Sequence, residues 1–164
     1  MEPQGLILDY DDAARLSGQL KQVGATVVLT NGCFDLIHRG HVDYLRQARA
    51  LGDFLFVGLN DDAMVRQLKG PGRPILDETD RAFMLAELRS VDAVVLFHEP
   101  TAERLVQLIK PDIYAKGGDW GPGQKTPPEV IVVEQQGGRV VYLPYVSGRS
   151  TSEILEQVRR GVGD

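Results

Sequence analysis

The 164-residue sequence reads as an α/β domain with an open, mostly parallel sheet of five strands and helices on both faces. Three observations carry that reading. Short apolar, β-branched runs alternate with segments of helical periodicity. The runs are nearly continuous in apolar character, as strands buried on both faces are. Glycine and charge clusters follow the ends of the runs, at Thr30–His41, Asn60–Asp62, Lys116–Trp120 and Pro144–Thr151. Right-handed crossovers bring all strand C-termini to one edge, which is where open α/β sheets bind ligands.

A polar helix over about Asp11–Gln22 stops at Gly24 and feeds the first strand, Thr26–Asn31. Val42, Leu45 and Ala48 then recur at helical spacing in a helix ending near Gly52, and Phe54–Asn60 is the second strand. A basic loop, Lys69–Pro74, precedes a helix from about Asp77 to Leu88, followed by strand Ala93–Phe97, helix Thr101–Ile109 and strand Ile113–Lys116. A Gly/Pro-rich loop, Gly117–Pro128, leads to a short helix through Gln136, the fifth strand Val140–Leu143 and a closing helix Ser150–Arg160. The outline is Rossmann-like, yet no G-x-G-x-x-G follows the first strand, which argues against a dinucleotide-dependent dehydrogenase or electron-transfer domain.

At this length, with 43% hydrophobic residues, a single domain over residues 1–164 can bury roughly 70% of its unfolded surface without disulfides or structural metal. The one cysteine, Cys33, excludes an internal disulfide and suits a reducing compartment. The N-terminal Met1-Glu2-Pro3-Gln4 lacks the features of a signal peptide, and no run approaches the length that crosses a bilayer, so a soluble, cytoplasmic protein without membrane contact is expected. A net charge of −5 argues against a broad nucleic-acid footprint. Basic residues nevertheless gather beside glycines, at Arg39, Lys69, Arg73, Lys116, Lys125 and Arg149, as expected for a small anionic ligand. Lys125 by itself reads as a solvated surface charge.

The segment T-N-G-C-F-D-L-I-H-R-G-H, Thr30–His41, sets two histidines three residues apart where a strand hands over to a helix. Free N–H groups and the positive end of the helix dipole attract an anion there, and Gly32 and Gly40 let the backbone approach it. The segment resembles the G-x-F-D-x-x-H-x-G-H signature of the cytidylyltransferase-like branch of the nucleotidyltransferase superfamily, matching all six fixed positions of ten. Over Thr30–Arg160 the chain is similar to the D-glycero-D-manno-heptose 1-phosphate adenylyltransferase family, through TNGCFDLIHRGH, VGLNDDA (Val57–Ala63), LKGPGRPI (Leu68–Ile75), DIYAKGGDW (Asp112–Trp120) and GRSTSEIL (Gly148–Leu155).

The resemblance implies residue roles. His38 and His41 would donate to the triphosphate and stabilise the pentacoordinate transition state, with the Cys33 and Phe34 amides on phosphate oxygens and Asn31, Gly32 and Gly40 among the nucleotide-binding residues of the turn. A structural histidine pair is the plainer alternative. A zinc pair is a third, although the only further histidine and cysteine are His98 and Cys33. Cys33 stands at a variable motif position and reads as a small residue beneath the loop rather than a nucleophile. Asp35 matches the family's acidic position, either orienting the site or serving as a turn carboxylate. Lys69 and Arg81 are assigned to the phosphates, with Arg73 as a secondary candidate, and a movable loop bearing Lys69 could close over nucleotide. Lys116, Gly117, Gly118, Asp119 and Trp120 form the expected wall of the nucleotide and acceptor pocket, although Asp119 could simply cap a turn and Trp120 pack on its own loop. Gly148, Arg149, Ser150 and Thr151 match the second signature, in which Ser150 and Glu153 also make a capping box; the family's second threonine is Ser152 here.

By the same resemblance, the expected activity is that of an adenylyltransferase joining ATP, with Mg²⁺, to D-glycero-D-manno-heptose 1-phosphate, releasing ADP-heptose and pyrophosphate. Glycerol-3-phosphate cytidylyltransferase is the competing activity, and a nucleotide-binding module without turnover is the competing class. The sugar phosphate is expected from a separate heptose kinase, and relatives suggest a homodimer.

Overall fold

In the computed structural model, residues 3–118, 126–144 and 151–161 are described. The sheet is parallel throughout, and its helices pack on both faces. It has six strands rather than five, in the order β1-β4-β3-β2-β5-β6. The additional strand, β1 (Leu6–Leu8), lies at one edge and pairs with β4 (Ala93–Phe97) through Leu6↔Ala93, Ile7↔Val94 and Leu8↔Val95. It is three residues long, with Leu6 and Ile7 exposed, so it carries neither the alternation nor the buried run by which a strand is recognised. Neighbouring Gly5 makes the approach possible: its amide donates to the Ala86 carbonyl at 2.8 Å, and a Cβ there would lie 2.7 Å from that oxygen.

The other strands, β2 (Val27–Gly32), β3 (Phe54–Asn60), β5 (Ile113–Gly117) and β6 (Arg139–Leu143), stand where the apolar runs predict them. So do helices α1 (Tyr10–Gln22), α2 (Arg39–Arg49), α4 (Glu78–Ala86), α5 (Glu103–Ile109), α6 (Pro128–Gln135) and α7 (Thr151–Arg160), within a few residues at their ends. One helix lies outside that pattern. After β3 the chain turns at once into α3 (Asp62–Lys69), started by the Asp61 carboxylate, which accepts from the Met64 amide at 2.7 Å, and stopped by Gly70 at φ +91°. Lys69 therefore ends a helix rather than opening a loop.

Alternating side chains feed two cores. Val28, Leu55, Val57, Val94 and Ala115 face α2 and α4 on one side; Val27, Leu29, Phe56, Val95 and Tyr114 face α1, α5 and α6 on the other. Each fully buried aliphatic side chain contributes roughly 1.5–3 kcal/mol by leaving water, so the sheet is the rigid part on which the loops are mounted.

From β2 the chain runs outward through β3 to β4, then returns to add β5 and β6 on the opposite side of β2. The switch point lies between β2 and β5, and there the ladder is short. All six residues of β2 pair with β3, but only Val28↔Ile113 and Leu29↔Tyr114 pair β2 with β5. Beyond Leu29 the two strands part. The Ala115 carbonyl on the parting strand is met by side chains instead, with the buried Thr30 hydroxyl and the Tyr44 hydroxyl of α2 each 3.0 Å away. A crevice at the C-terminal edge thus opens without stranding a buried carbonyl. No helix among the described residues is long and apolar enough to cross a membrane.

Candidate functional site

The turn between β2 and α2 occupies this crevice. Phe34 adopts a left-handed backbone, φ +44°, which costs a residue with a Cβ on the order of 1 kcal/mol or more. Its ring is buried and holds the turn in place, lying 5.3 Å from the His41 ring centroid. The same ring explains Gly32, where a Cβ would come within 3.0 Å of Phe34 Cε2.

His38 caps α2. In an extended conformation, its Nδ1 accepts from the Gly40 amide at 3.0 Å. In the neutral ring the proton then sits on Nε2, which is left able to donate. The His38 and His41 rings stack with centroids 3.8 Å apart and planes inclined by 26°. Burial draws the His38 imidazole below its ordinary value, against the pull of Glu153 in the first turn of α7, so α7 bears electrostatically on the histidine pair. Burial, and next the neighbouring His38, push His41 down to about 4, opposed by the Leu36 backbone and Asp35. His41 Nδ1 is buried with no hydrogen-bond partner, the only such side-chain atom among the described residues. An orphaned polar atom costs about 1–3 kcal/mol unless something joins it. The two rings are stacked, and His41 Nδ1 is short of a partner.

Asp35, next along the turn, is 2% exposed. Oδ1 accepts from the Ile75 amide at 2.8 Å and the Leu76 amide at 3.1 Å, and Oδ2 from Arg73 Nε at 2.6 Å. Asp35 therefore sews the α3–α4 loop onto the turn. Arg81, expected at the phosphates, is fully buried and faces the backbone. Its Nε donates to the Leu76 carbonyl at 3.0 Å, Nη1 to the Cys33 and Asn60 carbonyls at 2.7 and 2.9 Å, and Nη2 to Asp62 Oδ1 at 2.7 Å. One guanidinium ties four segments together at the crevice edge. Lys69 is exposed, without a partner among the described residues. Its charge, followed by those of Arg81 and Arg73, pulls the Cys33 thiol down, but burial outweighs all three and raises it. A thiol held protonated is a poor nucleophile, in keeping with an incidental Cys33.

Across the crevice, Lys116 is also largely buried. Its ammonium donates to Glu129 Oε1 of α6 at 2.8 Å and lies 5.4 Å from the centre of the Tyr114 ring. The Tyr114 hydroxyl donates to Asn31 Oδ1 and lies 3.4 Å from Glu129. Asn31 and Lys116, expected to face ligand, are thus joined through the floor of the crevice between β2 and β5. Gly117 ends β5 opposite Leu143, Gly118 is exposed just past it, and Gly40 sits buried in the first turn of α2. Thr151 begins α7. Asp119, Trp120, Lys125, Gly148, Arg149 and Ser150 lie outside the described residues.

Sequence reasoning passes over Tyr44 and Glu129, and it places Asn60 and Asp62 at the ligand edge only as part of the cluster after β3, without a role for either. A hydroxyl three residues after His41 is the available sign for Tyr44. Glu129, in a Pro-Pro-Glu helix start, reads as an ordinary first-turn carboxylate, and only its 6% exposure reveals the pair with Lys116.

The cytidylyltransferase-like family model matches residues 29–156. Among curated relatives, the bifunctional protein HldE of Syntrophotalea carbinolica is 48% identical over 161 residues, covering 92% of this chain and 32% of that protein. HldE of Citrifermentans bemidjiense is 53% identical over 135 residues, covering 82% and 27%. The chain spans about a third of the length of these relatives. Among solved structures, a lipopolysaccharide core biosynthesis protein from Thermoplasma volcanium aligns with TM-score 0.61 and 32% identity, over 75% of this chain and 98% of that one. Pantoate-β-alanine ligase from Francisella tularensis aligns with TM-score 0.56 over 90% of this chain and 69% of that one; at 16% identity the likeness is one of fold.

Proposed function

We propose, for a chain that belongs to the cytidylyltransferase-like family, nucleotidyl transfer from ATP to D-glycero-D-manno-heptose 1-phosphate, giving ADP-heptose and pyrophosphate. The observation that carries the reading is the histidine pair, stacked and neutral at a helix N-terminus in the switch-point crevice, with His41 Nδ1 lacking a partner. A phosphate oxygen of the nucleotide supplies what the rings and the free amides at the start of α2 lack. An oxygen of the sugar 1-phosphate attacks the α-phosphorus in line, the bond to the bridging oxygen breaks, and pyrophosphate leaves with the negative charge. Catalysis of such a step is positioning and charge stabilisation, and no protein nucleophile is required.

His38 and His41 donate to the transferring group, the turn amides of Cys33 and Phe34 hold phosphate oxygens, and Lys69 meets the far end of the triphosphate. Arg81 acts through the Cys33 carbonyl it grips, as a positioning residue. The segments from Lys116 to Trp120 and from Gly148 to Thr151 select the base and acceptor. Mg²⁺ entering with the nucleotide would supply charge neutralisation on the triphosphate and the leaving pyrophosphate; among the described residues no group of three or more His, Cys, Asp or Glu is arranged to hold a metal.

Likeness to a lipopolysaccharide core biosynthesis protein supports a sugar phosphate as acceptor, and the identity shared with HldE supports the heptose. A kinase activity outside these 164 residues supplies the sugar phosphate, and a homodimer belongs to the same reading. The test is pyrophosphate release over a matrix of ATP, CTP, GTP and UTP against heptose 1-phosphate, glycerol 3-phosphate and ethanolamine phosphate. ATP with heptose 1-phosphate is expected to exceed CTP by at least about tenfold in kcat/KM, or roughly 1.4 kcal/mol, because a base pocket matched to adenine leaves groups unpaired with cytosine. A better rate with CTP and glycerol 3-phosphate would replace the substrate assignment and leave the in-line chemistry standing.

A further inference from the structure

Two arginines from the α3–α4 region reach the phosphate turn, and the structure gives them opposite tasks. A guanidinium has five N–H donors. Arg81 engages four of them with protein acceptors at full burial, so little of it remains for a ligand. Arg73 engages one: Nε donates to Asp35 Oδ2 at 2.6 Å, and neither Nη group has an acceptor among the described residues. Those groups are also not sealed in, because His41 Nδ1 is the only buried, unpartnered side-chain nitrogen or oxygen there. The Arg73 fork is therefore open to solvent although its side chain is only 15% exposed.

Its anchor is rigid. Asp35 is buried, fixed by two further amides from Ile75 and Leu76, and adjacent to Phe34, whose amide belongs to the turn that would receive phosphate. The charge of Arg73 reaches the turn as well, since it is one of three cations acting on Cys33. A guanidinium pinned by one nitrogen, with both Nη groups unengaged by the described residues, can grip a phosphate bidentately and loses little entropy in doing so.

We propose that Arg73 is the arginine that contacts the β- and γ-phosphates of the nucleotide and the departing pyrophosphate, with Asp35 as the positioning residue that aims it. The inference rests on the reading of this crevice as a nucleotidyl-transfer site. The β- and γ-phosphates carry most of the triphosphate's charge and take the charge released when the bridging bond breaks, and Lys69, at the end of the preceding helix, supplies the second cation.

The experiment titrates inorganic pyrophosphate, and separately heptose 1-phosphate, into the wild-type chain and into Arg73→Ala, Arg73→Gln, Asp35→Asn and the Arg73→Ala/Asp35→Asn pair, with a thermal melt of each. Both Arg73 variants are expected to weaken pyrophosphate about tenfold or more with sugar-phosphate affinity unchanged; because each leaves the buried Asp35 carboxylate without its cation, melting temperatures fall by up to about 20 °C, and the titrations are run well below each variant's melt. In the Asp35→Asn background the loss caused by Arg73→Ala is expected to shrink, because an arginine already misdirected has less to lose. Wild-type pyrophosphate affinity in Arg73→Gln would overturn the assignment, as would a loss confined to the sugar phosphate. If the wild-type chain itself binds no pyrophosphate, the functional reading fails together with the proposal; if it binds and the variants bind equally, only the role of Arg73 fails.

Discussion

Replacing Arg81 by alanine separates a structural tie from a phosphate ligand, because the two roles predict different observables. The substitution leaves the Cys33, Asn60 and Leu76 carbonyls and the Asp62 carboxylate without their shared donor, and it empties the volume of a fully buried side chain. Breaking a buried ion pair from one side costs about 3–5 kcal/mol. The Asp62 side chain is 29% exposed, so water recovers part of that, while the vacated space adds to it. A net loss of about 3–5 kcal/mol, at roughly 2–4 °C per kcal/mol for a chain of this size, lowers the melting temperature by about 6–20 °C. Calorimetric or circular-dichroism melts read this directly, and steady-state kinetics at low temperature read what remains of the site. Activity falls mainly through kcat, as the turn loosens around the transferring phosphate. A melt within about 2 °C of wild type, accompanied by a rise of tenfold or more in the KM for ATP, would overturn the structural role and return Arg81 to the phosphates.

His41→Ala is expected to lower kcat by about 10² to 10³ with the fold intact, and His38→Ala to act similarly, as turnover and melts of the two variants will report; near-wild-type activity would remove the catalytic assignment. Lys69→Ala is expected to raise the KM for nucleotide and lower kcat together, since an exposed cation on the leaving phosphates serves both binding and departure; unchanged kinetics with ATP would turn that residue away from the site. Stability is expected to fall with acid in a defined window. The folded His41 titrates at about 4, below its ordinary 6.5, so the unfolded chain takes up the proton first. Its contribution is complete above about pH 6.5 and is lost as pH falls toward 4, by up to about 3 kcal/mol. Urea unfolding of wild type and His41→Gln across that range checks this: the variant is expected to lack that part of the slope, and parallel profiles would place His41 outside its buried setting.

The alternation of strands and helices is legible because β2 to β5 are apolar runs buried over most of their length, and β6, at the sheet edge, keeps a run of apolar residues. β1 is not, because three residues at an exposed edge are specified by the neighbour they pair with, Ala93 to Val95, rather than by a pattern of their own. Helix α3 is hidden because it follows β3 with no intervening loop and buries only Val65, although Asp61 and Gly70 mark both of its ends. At the site, Gly32, Phe34, His38 and His41 can be read from local spacing, since a strand-to-helix turn is a local structure. The direction of a long side chain is not local. Arg81 faces Cys33 and Asn60 across 48 and 21 residues of sequence, and Lys116 faces Glu129 on a helix beyond the next loop. A charged residue near a glycine-rich turn looks the same in sequence whether it holds the ligand or holds the residues that hold the ligand.

Nucleotidyl transfer at the histidine turn moves the α-phosphorus of the nucleotide, whereas a kinase or a phosphatase would move the γ-phosphorus. Incubation of the chain with heptose 1-phosphate and ATP labelled either at the α- or at the γ-phosphorus follows the two atoms separately. The α-label is expected in the sugar nucleotide and the γ-label in pyrophosphate, both abolished in the His38→Ala/His41→Ala double variant. Label from the γ-position in a sugar bisphosphate, or released as inorganic phosphate, would contradict nucleotidyl transfer at this turn.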